Sequence, residues 1–265
     1  HISADECGAP ELFTGGAKLI GLDGVAGKIT PKMVEGAIAG FISGEHDPKP
    51  AAISITQSSE LGTVYSLDEV QAFGNLARDK NLKLHMDGAR FANALVALGC
   101  SPADVTWKAG VDALSFGATK NGAMNVEAVV FFDLALAVDF EYRRMRAGQL
   151  LSKNRFLAAQ MEAYLTDDLW LDNARHANEM AARLADGLGK TQGVRFGVER
   201  QANEVFLIVP KAKHNVLAAS DAVFHQWQAS GSDTAEVGDD EVMIRLVTSF
   251  ATSAEDVDEF VTLMG

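Results

Sequence analysis

Three charged residues bound the chemistry this chain can do: Asp87, Arg90 and Lys120. Asp87 closes the run LKLHMDG (82–88), in which Leu82, Leu84 and Met86 alternate, and Gly88, Ala89 and Arg90 follow it. A carboxylate at the end of a buried strand is costly unless something pairs with it. The partner is either Arg90 or a ligand. Lys120 sits in SFGATKNG (115–122), with no acid within five residues on either side. Alone, such a lysine reads as a solvated loop residue. Together with Asp87, 120 − 87 = 33 positions earlier, it makes a pair with a specific use. A pyridoxal phosphate site needs an amine that forms a Schiff base with the cofactor aldehyde and a carboxylate facing the pyridine nitrogen. The carboxylate raises the pKa of that nitrogen in a desolvated site. The protonated ring can then accept the electrons of a broken bond.

These residues need elements to position them. AKLIGL (17–22), AAISIT (51–56), LKLHMDG (82–88), ALSFGATK (113–120) and EAVVFF (127–132) read as strands. Helices are expected over 30–42, with Thr30 as N-cap and Pro31 at the first helical position, and over 66–81, opened by the capping box Ser66/Glu69. Others are expected over 89–99, ending in Gly99, and 101–110. The alternation predicts an α/β fold with a mostly parallel sheet sandwiched by helices. Ligands in such sheets sit beyond the carboxyl ends of the strands. TQSSELGT (56–63), DGAR (87–90) and SFGATKNG (115–122) all fall there. Beyond about residue 135 the pattern changes to helices over 134–165 and 167–190, strands at 193–198, 204–210 and 241–247, and helices at 214–229 and 253–264. This predicts a large cofactor-binding domain, 1–135, and connecting helices with a small C-terminal α+β domain, 136–265. Strand alternation is taken to point His85 away from Asp87, so His85 is left out of the site.

Composition excludes several classes. The chain has 265 residues, 48% hydrophobic and 22% charged, with net charge −13. Nucleic acid and anionic membranes are poor partners for such a chain. No apolar run approaches the ~18 residues of a spanning helix, and no signal peptide is evident. Cys7 and Cys100 read as reduced thiols, which with the missing signal predicts a cytoplasmic protein. No G-x-G-x-x-G motif and no complete G-x-x-x-x-G-K-[ST] loop supports a nucleotide-binding domain; Gly189-Lys190-Thr191 lacks the leading glycine, position 184 being leucine. No metal ligand is assigned.

Five segments, HISADECGAPELF, ITQSSELGTVYS, LHMDGARFANALVALGCSPADVTWKAGVD, LSFGATKNG and EAVVFF, in this order, resemble the low-specificity L-threonine aldolases. The similarity runs, with gaps, from residue 1 to about 165. It implies the aspartate aminotransferase fold (fold type I), pyridoxal 5′-phosphate as cofactor, and retro-aldol cleavage of β-hydroxy-α-amino acids to glycine and an aldehyde. By this resemblance Lys120 corresponds to the Schiff-base lysine and Asp87 to the acid on the pyridine nitrogen. Arg90 corresponds to an arginine near the cofactor hydroxyl and the substrate carboxylate, and His1 to the histidine that stacks on the ring. Arg245, on the apolar run EVMIRLV, matches the late arginine that grips the substrate carboxylate, a role its fork geometry suits; the alternative for it is an interface or core ion pair. Glu60 departs from the family's pattern, which has histidine there, and is a candidate either for substrate contact or for binding backbone alone. His1, Glu60 or a water is the expected base. The family's phosphate-binding turn precedes the stacking histidine, so the protein is expected to begin upstream of His1; FTGG (13–16) is a weak substitute. A homo-oligomer, tetramer or dimer, with shared active sites is implied. The rival readings are a β-eliminating amino-acid lyase of the same fold and a catalytically inactive binding module.

Overall fold

The computed structural model describes residues 1–228 and 234–265. The helices and strands in chain order are α1 (Ala9–Thr14), α2 (Pro31–Ala39), β1 (Ala52–Thr56), α3 (Leu67–Asp79), β2 (Lys83–Gly88), α4 (Phe91–Leu98), β3 (Ala113–Gly117) and β4 (Glu127–Phe131). There follow α5 (Phe140–Arg146), α6 (Arg155–Leu165), α7 (Leu169–Leu188), β5 (Arg195–Phe196), β6 (Glu204–Pro210), α8 (Lys211–Ala218), β7 (His225–Trp227), β8 (Glu241–Val247) and α9 (Ala254–Met264). The first sheet runs β1-β2-β3-β4; β1, β2 and β3 are parallel and β4 is antiparallel. The second sheet, β5-β6-β8-β7, is antiparallel throughout. The mostly parallel sheet predicted from the alternation is therefore present, with a separate antiparallel sheet behind it in sequence.

The register fixes where the carboxyl ends fall. Thr56 pairs with Asp87, and Asp87 with Ser115, so the tips of β1, β2 and β3 lie side by side. Helix α3 is held by the predicted capping box: Ser66 Oγ accepts from Glu69 N–H at 3.2 Å and Glu69 Oε2 from Ser66 N–H at 2.7 Å. Beneath the tips, Phe91, Phe116 and Trp170 pack edge to face or stacked, with centroids 5.6–6.5 Å apart. This cluster ties the start of α4, the end of β3 and the start of α7 into one apolar unit. Helix α7 bridges the two cores. Its Ala174 belongs to the core under the first sheet, whereas Ala181, Leu184 and Leu188 pack under the second.

Several expected elements are corrected. Residues 17–22 form no strand, because no neighbouring strand among the described residues pairs with them; the local ladder is a single bridge, Val25–Lys28. The helix expected over 101–110 is reduced to a 3₁₀ turn, Trp107–Ala109. Upstream, residues 102–106 form turns, with the Ser101 hydroxyl donating to Asp104 Oδ2 at 2.6 Å. The helix over 134–165 is broken into a 3₁₀ turn, α5 and α6; Asp139 and Gly148 lie at φ 60° and 72°, which ends helical backbone. The strand at 193–198 pairs only at Arg195–Phe196. The helix over 214–229 ends at Ala218, β7 occupies 225–227, and residue 229 lies outside the described residues. Cys7 and Cys100 form no disulfide. Among the described residues no helix is long and apolar enough to cross a membrane.

Candidate active site

Asp87 is the last side chain of β2 before Gly88. Its Oδ1 accepts from the Ala89 N–H at 2.8 Å, and its Oδ2 lies 3.9 Å from Nδ1 of His1. Among the described residues it makes no ion pair with Arg90, so the opening alternative is settled against that residue. The His1 ring is held on both sides, by Glu6 Oε1 at 2.9 Å on Nδ1 and by Thr56 Oγ1 at 2.8 Å on Nε2. Glu60 Oε2 is 2.7 Å from the backbone nitrogen of His1. Glu60 sits on the loop after β1, whose Ser59 and Thr63 hydroxyls bond each other at 2.7 Å, a buried polar pair that braces the loop. A cleft of about 450 Å³ opens beside these residues, walled by His1, Thr56, Glu60, Leu61 and Trp227.

Lys120 lies on the 3₁₀ turn Thr119–Asn121, directly after β3. The turn is fixed from below. Asn121 Nδ2 donates to Tyr164 OH at 2.7 Å and to Trp170 O at 2.8 Å, and Asn173 Nδ2 donates to Asn121 O at 2.9 Å. Glu127 accepts from the N–H groups of Ala118 and Thr119, each at 3.2 Å. Every one of these bonds leaves the Lys120 side chain free, and among the described residues its amine has no partner. Burial, then the nearby Arg90 charge, hold the Lys120 amine below the usual lysine range; Asp87 and Glu204 pull it back up and Arg245 pushes it down.

Small residues let the two turns touch. A Cβ added at Gly117 would meet Ala89 Cα and O at 2.7 Å, and one at Gly88 would meet Ser115 O at 2.8 Å. The Gly117→Ala variant is therefore expected to lose about 1–3 kcal/mol, because backbone must move to admit the methyl. Chemical denaturation, read as a lower midpoint, checks this.

Arg90, between β2 and α4, and Arg245, on β8 of the second sheet, meet at a residue absent from the sequence-based set. Glu204, the first residue of β6, is fully buried. Its Oε1 accepts from Arg245 Nε at 2.9 Å and from Arg245 Nη2, and it lies 3.3 Å from Arg90 Nη2. The guanidinium of Arg245 also lies 5.2 Å from the centroid of Trp227. Glu204 pairs with Val247 and Phe206 with Arg245, so Glu204 and Arg245 are diagonal neighbours across β6 and β8. An acid opening an otherwise apolar strand was the available signal; the register that brings it to Arg245 is not written locally.

His85 is a second correction. It lies two residues before Asp87 and so shares its face. Its ring spans the sheet, Nδ1 to Ser54 Oγ at 2.9 Å and Nε2 to Ser115 Oγ at 3.0 Å. Burial lowers its pKa, against the upward pull of Asp87 and Glu6. A neutral ring bridging two hydroxyls braces the three strands whose tips carry the site.

The donor set suits the ring side of pyridoxal phosphate: a carboxylate beside an imidazole, an unengaged amine with lowered pKa at the next strand tip, and a buried Glu204 Oε2 without a partner among the described residues.

Residues 1–212 match the model of a family described as beta-eliminating lyase. A low specificity L-threonine aldolase of Pseudomonas aeruginosa is 46% identical over 231 residues, covering 87% of this chain and 66% of the relative. One from another Pseudomonas is 44% identical over the same extent. The chain thus spans just under two thirds of the length of these relatives. The structure of a threonine aldolase of Leishmania major superposes with TM-score 0.90 at 28% identity, over 100% of this chain and 74% of that one. A Rhodiola rosea 4-hydroxyphenylacetaldehyde synthase, 19% identical, shares the fold with TM-score 0.67 over 95% and 56% of the two chains.

Proposed function

Because the chain belongs to the beta-eliminating lyase family, we propose that it works in a pyridoxal phosphate-dependent lyase that cleaves threonine and related β-hydroxy-α-amino acids to glycine and an aldehyde. The observation that carries this is the register that sets Asp87, at the tip of β2, beside Ser115 of β3, the strand that leads directly into the turn bearing Lys120. The 46% identity to a low specificity L-threonine aldolase supports the choice of reaction.

Pyridoxal phosphate, when bound, supplies a protonated ring that draws off the electrons of the breaking Cα–Cβ bond. Lys120 is the residue that holds it covalently. Asp87 would supply the negative charge that keeps the ring nitrogen protonated, and its bond from the Ala89 N–H fixes the carboxylate in place. Arg90 and Arg245 grip the substrate carboxylate, which orients the bond to be broken. His1 is the base for the β-hydroxyl proton, its ring oriented by Glu6 and Thr56; Glu60, on the cleft wall, is the alternative. Leu134, Val138, Tyr142 and Met145, all more than half exposed, support assembly with further copies of the chain, as a dimer or tetramer with shared sites. A cytoplasmic location fits the free cysteines.

The family model favours one second reading, β-elimination. Product analysis of the full-length enzyme with threonine separates the two for this substrate family. Glycine plus acetaldehyde is the expected result; a 2-oxo acid plus ammonia from hydroxy amino acids would replace the proposal by the lyase reading.

A further inference from the structure

Glu204 takes no step in the chemistry above, yet it is the most enclosed charge at the site. Both of its bonded arginines are themselves largely covered, with side chains 12% and 17% exposed. Arg245 spends Nε and Nη2 on Glu204 and Arg90 lies against it through Nη2; among the described residues the remaining N–H groups of both are unengaged. Glu204 Oε2 is turned toward Gly62, where an added Cβ would lie 3.6 Å away, and has no partner among the described residues. Two guanidiniums that stay charged at any accessible pH and one carboxylate leave a single net positive charge. Removing the carboxylate would leave two uncompensated positive charges in a partly dry site, where charge matching is worth more than in water.

We infer that Glu204 is a charge-setting and positioning residue: it joins Arg90 to Arg245 across the two sheets, turns their free N–H groups toward one ligand, and limits that ligand end to a single carboxylate. This rests on the amino-acid reading of the preceding subsection. A substrate with one carboxylate at Cα meets a net charge of opposite sign and equal size. A dianion there, or a second carboxylate reaching the pair, is left partly unmatched. The same charge acts on Lys120, where Asp87 and Glu204 pull the amine's pKa up and Arg90 and Arg245 push it down.

The test compares the full-length, cofactor-loaded wild type with Glu204→Gln and Glu204→Asp. Three readouts are taken: sulfate affinity by calorimetry, the ratio of kcat/KM for β-hydroxyaspartate over threonine, and the pH midpoint of the cofactor's visible absorbance. In Glu204→Gln, sulfate is expected to bind about tenfold tighter and the ratio to rise about tenfold, as a lost unit charge a few ångströms away predicts. The pH midpoint is expected to fall, because a negative charge that favoured the protonated form is gone. Glu204→Asp keeps the charge but is too short to span both arginines. Its KM for threonine should rise while its anion preference stays that of the wild type. Sulfate affinity and substrate ratio within twofold of wild type in the glutamine variant would overturn the inference. So would an anion preference shifted equally in the aspartate variant, which would trace the effect to geometry. Sulfate binding is read without turnover, so it decides the role of Glu204 even if the wild type releases no glycine from threonine.

Discussion

Replacing Lys120 with alanine is expected to abolish both the visible absorbance of the enzyme mixed with pyridoxal phosphate and the cleavage of threonine, down to the detection limit. Lys120 is set at the tip of β3, next to the tip of β2 that carries Asp87. Its backbone is held by Asn121, Asn173 and Glu127, none of which uses the amine. Burial and the Arg90 charge depress the amine's pKa, so more of it is uncharged near neutral pH than for a solvated lysine. An uncharged amine is the form that attacks an aldehyde. The substitution removes that nucleophile while leaving the anchoring bonds of the turn in place, so the fold should survive and circular dichroism should match the wild type. An absorbance spectrum that persists undiminished in a folded Lys120→Ala protein would reject the assignment.

The second large effect is expected at Asp87. Asp87→Ala should lower kcat by about 10³-fold, the size seen when a preorganised electrostatic group is removed from a water-excluded site. Asp87→Asn keeps the shape and the bond from the Ala89 N–H but not the charge, and should fall nearly as far. The reason is the position of Asp87 rather than its mere presence. Its Oδ1 is fixed by the turn it opens, and its Oδ2 faces the His1 ring across 3.9 Å. Arg90, the nearest cation in sequence, is drawn away by Glu204. The carboxylate is thus left available to a ligand cation. Steady-state kinetics on both variants, with cofactor saturation confirmed by absorbance, checks the prediction. Turnover near that of wild type in either variant would remove the acid from the mechanism. If the asparagine variant were normal and the alanine variant slow, hydrogen bonding and not charge would be the operative property.

Much of this was legible in the residues themselves. Period-two alternation in AISIT and KLHMDG marks strands, and a capping box marks the start of α3, because both are local consequences of backbone and side-chain chemistry. The ends of those strands, DGAR and FGATK, carry charged residues after apolar runs, and it is Asp87 and Lys120 taken together that point to a site. Three-dimensional pairing was not legible. Residues 17–22 have strand composition but no partner, and 214–218 have helical composition that stops once the chain turns into β7. Whether a segment becomes a strand depends on what lies beside it.

The same division holds within the site. The sequence by itself determined the chemical types, an acid and an amine at successive strand tips, because each must follow an apolar run and sit among residues small enough to admit a ligand. Only the tertiary structure decided the partners. It set Arg90 against Glu204 and not Asp87, brought Arg245 from the second sheet to the same carboxylate, and put His85 behind the acid, bridging Ser54 and Ser115. Ion pairing and hydrogen bonding depend on distances of a few ångströms between residues that are 114 and 41 positions apart (204 − 90 and 245 − 204). Sheet register and the packing of α7 across both cores fix such distances, and no local pattern encodes them.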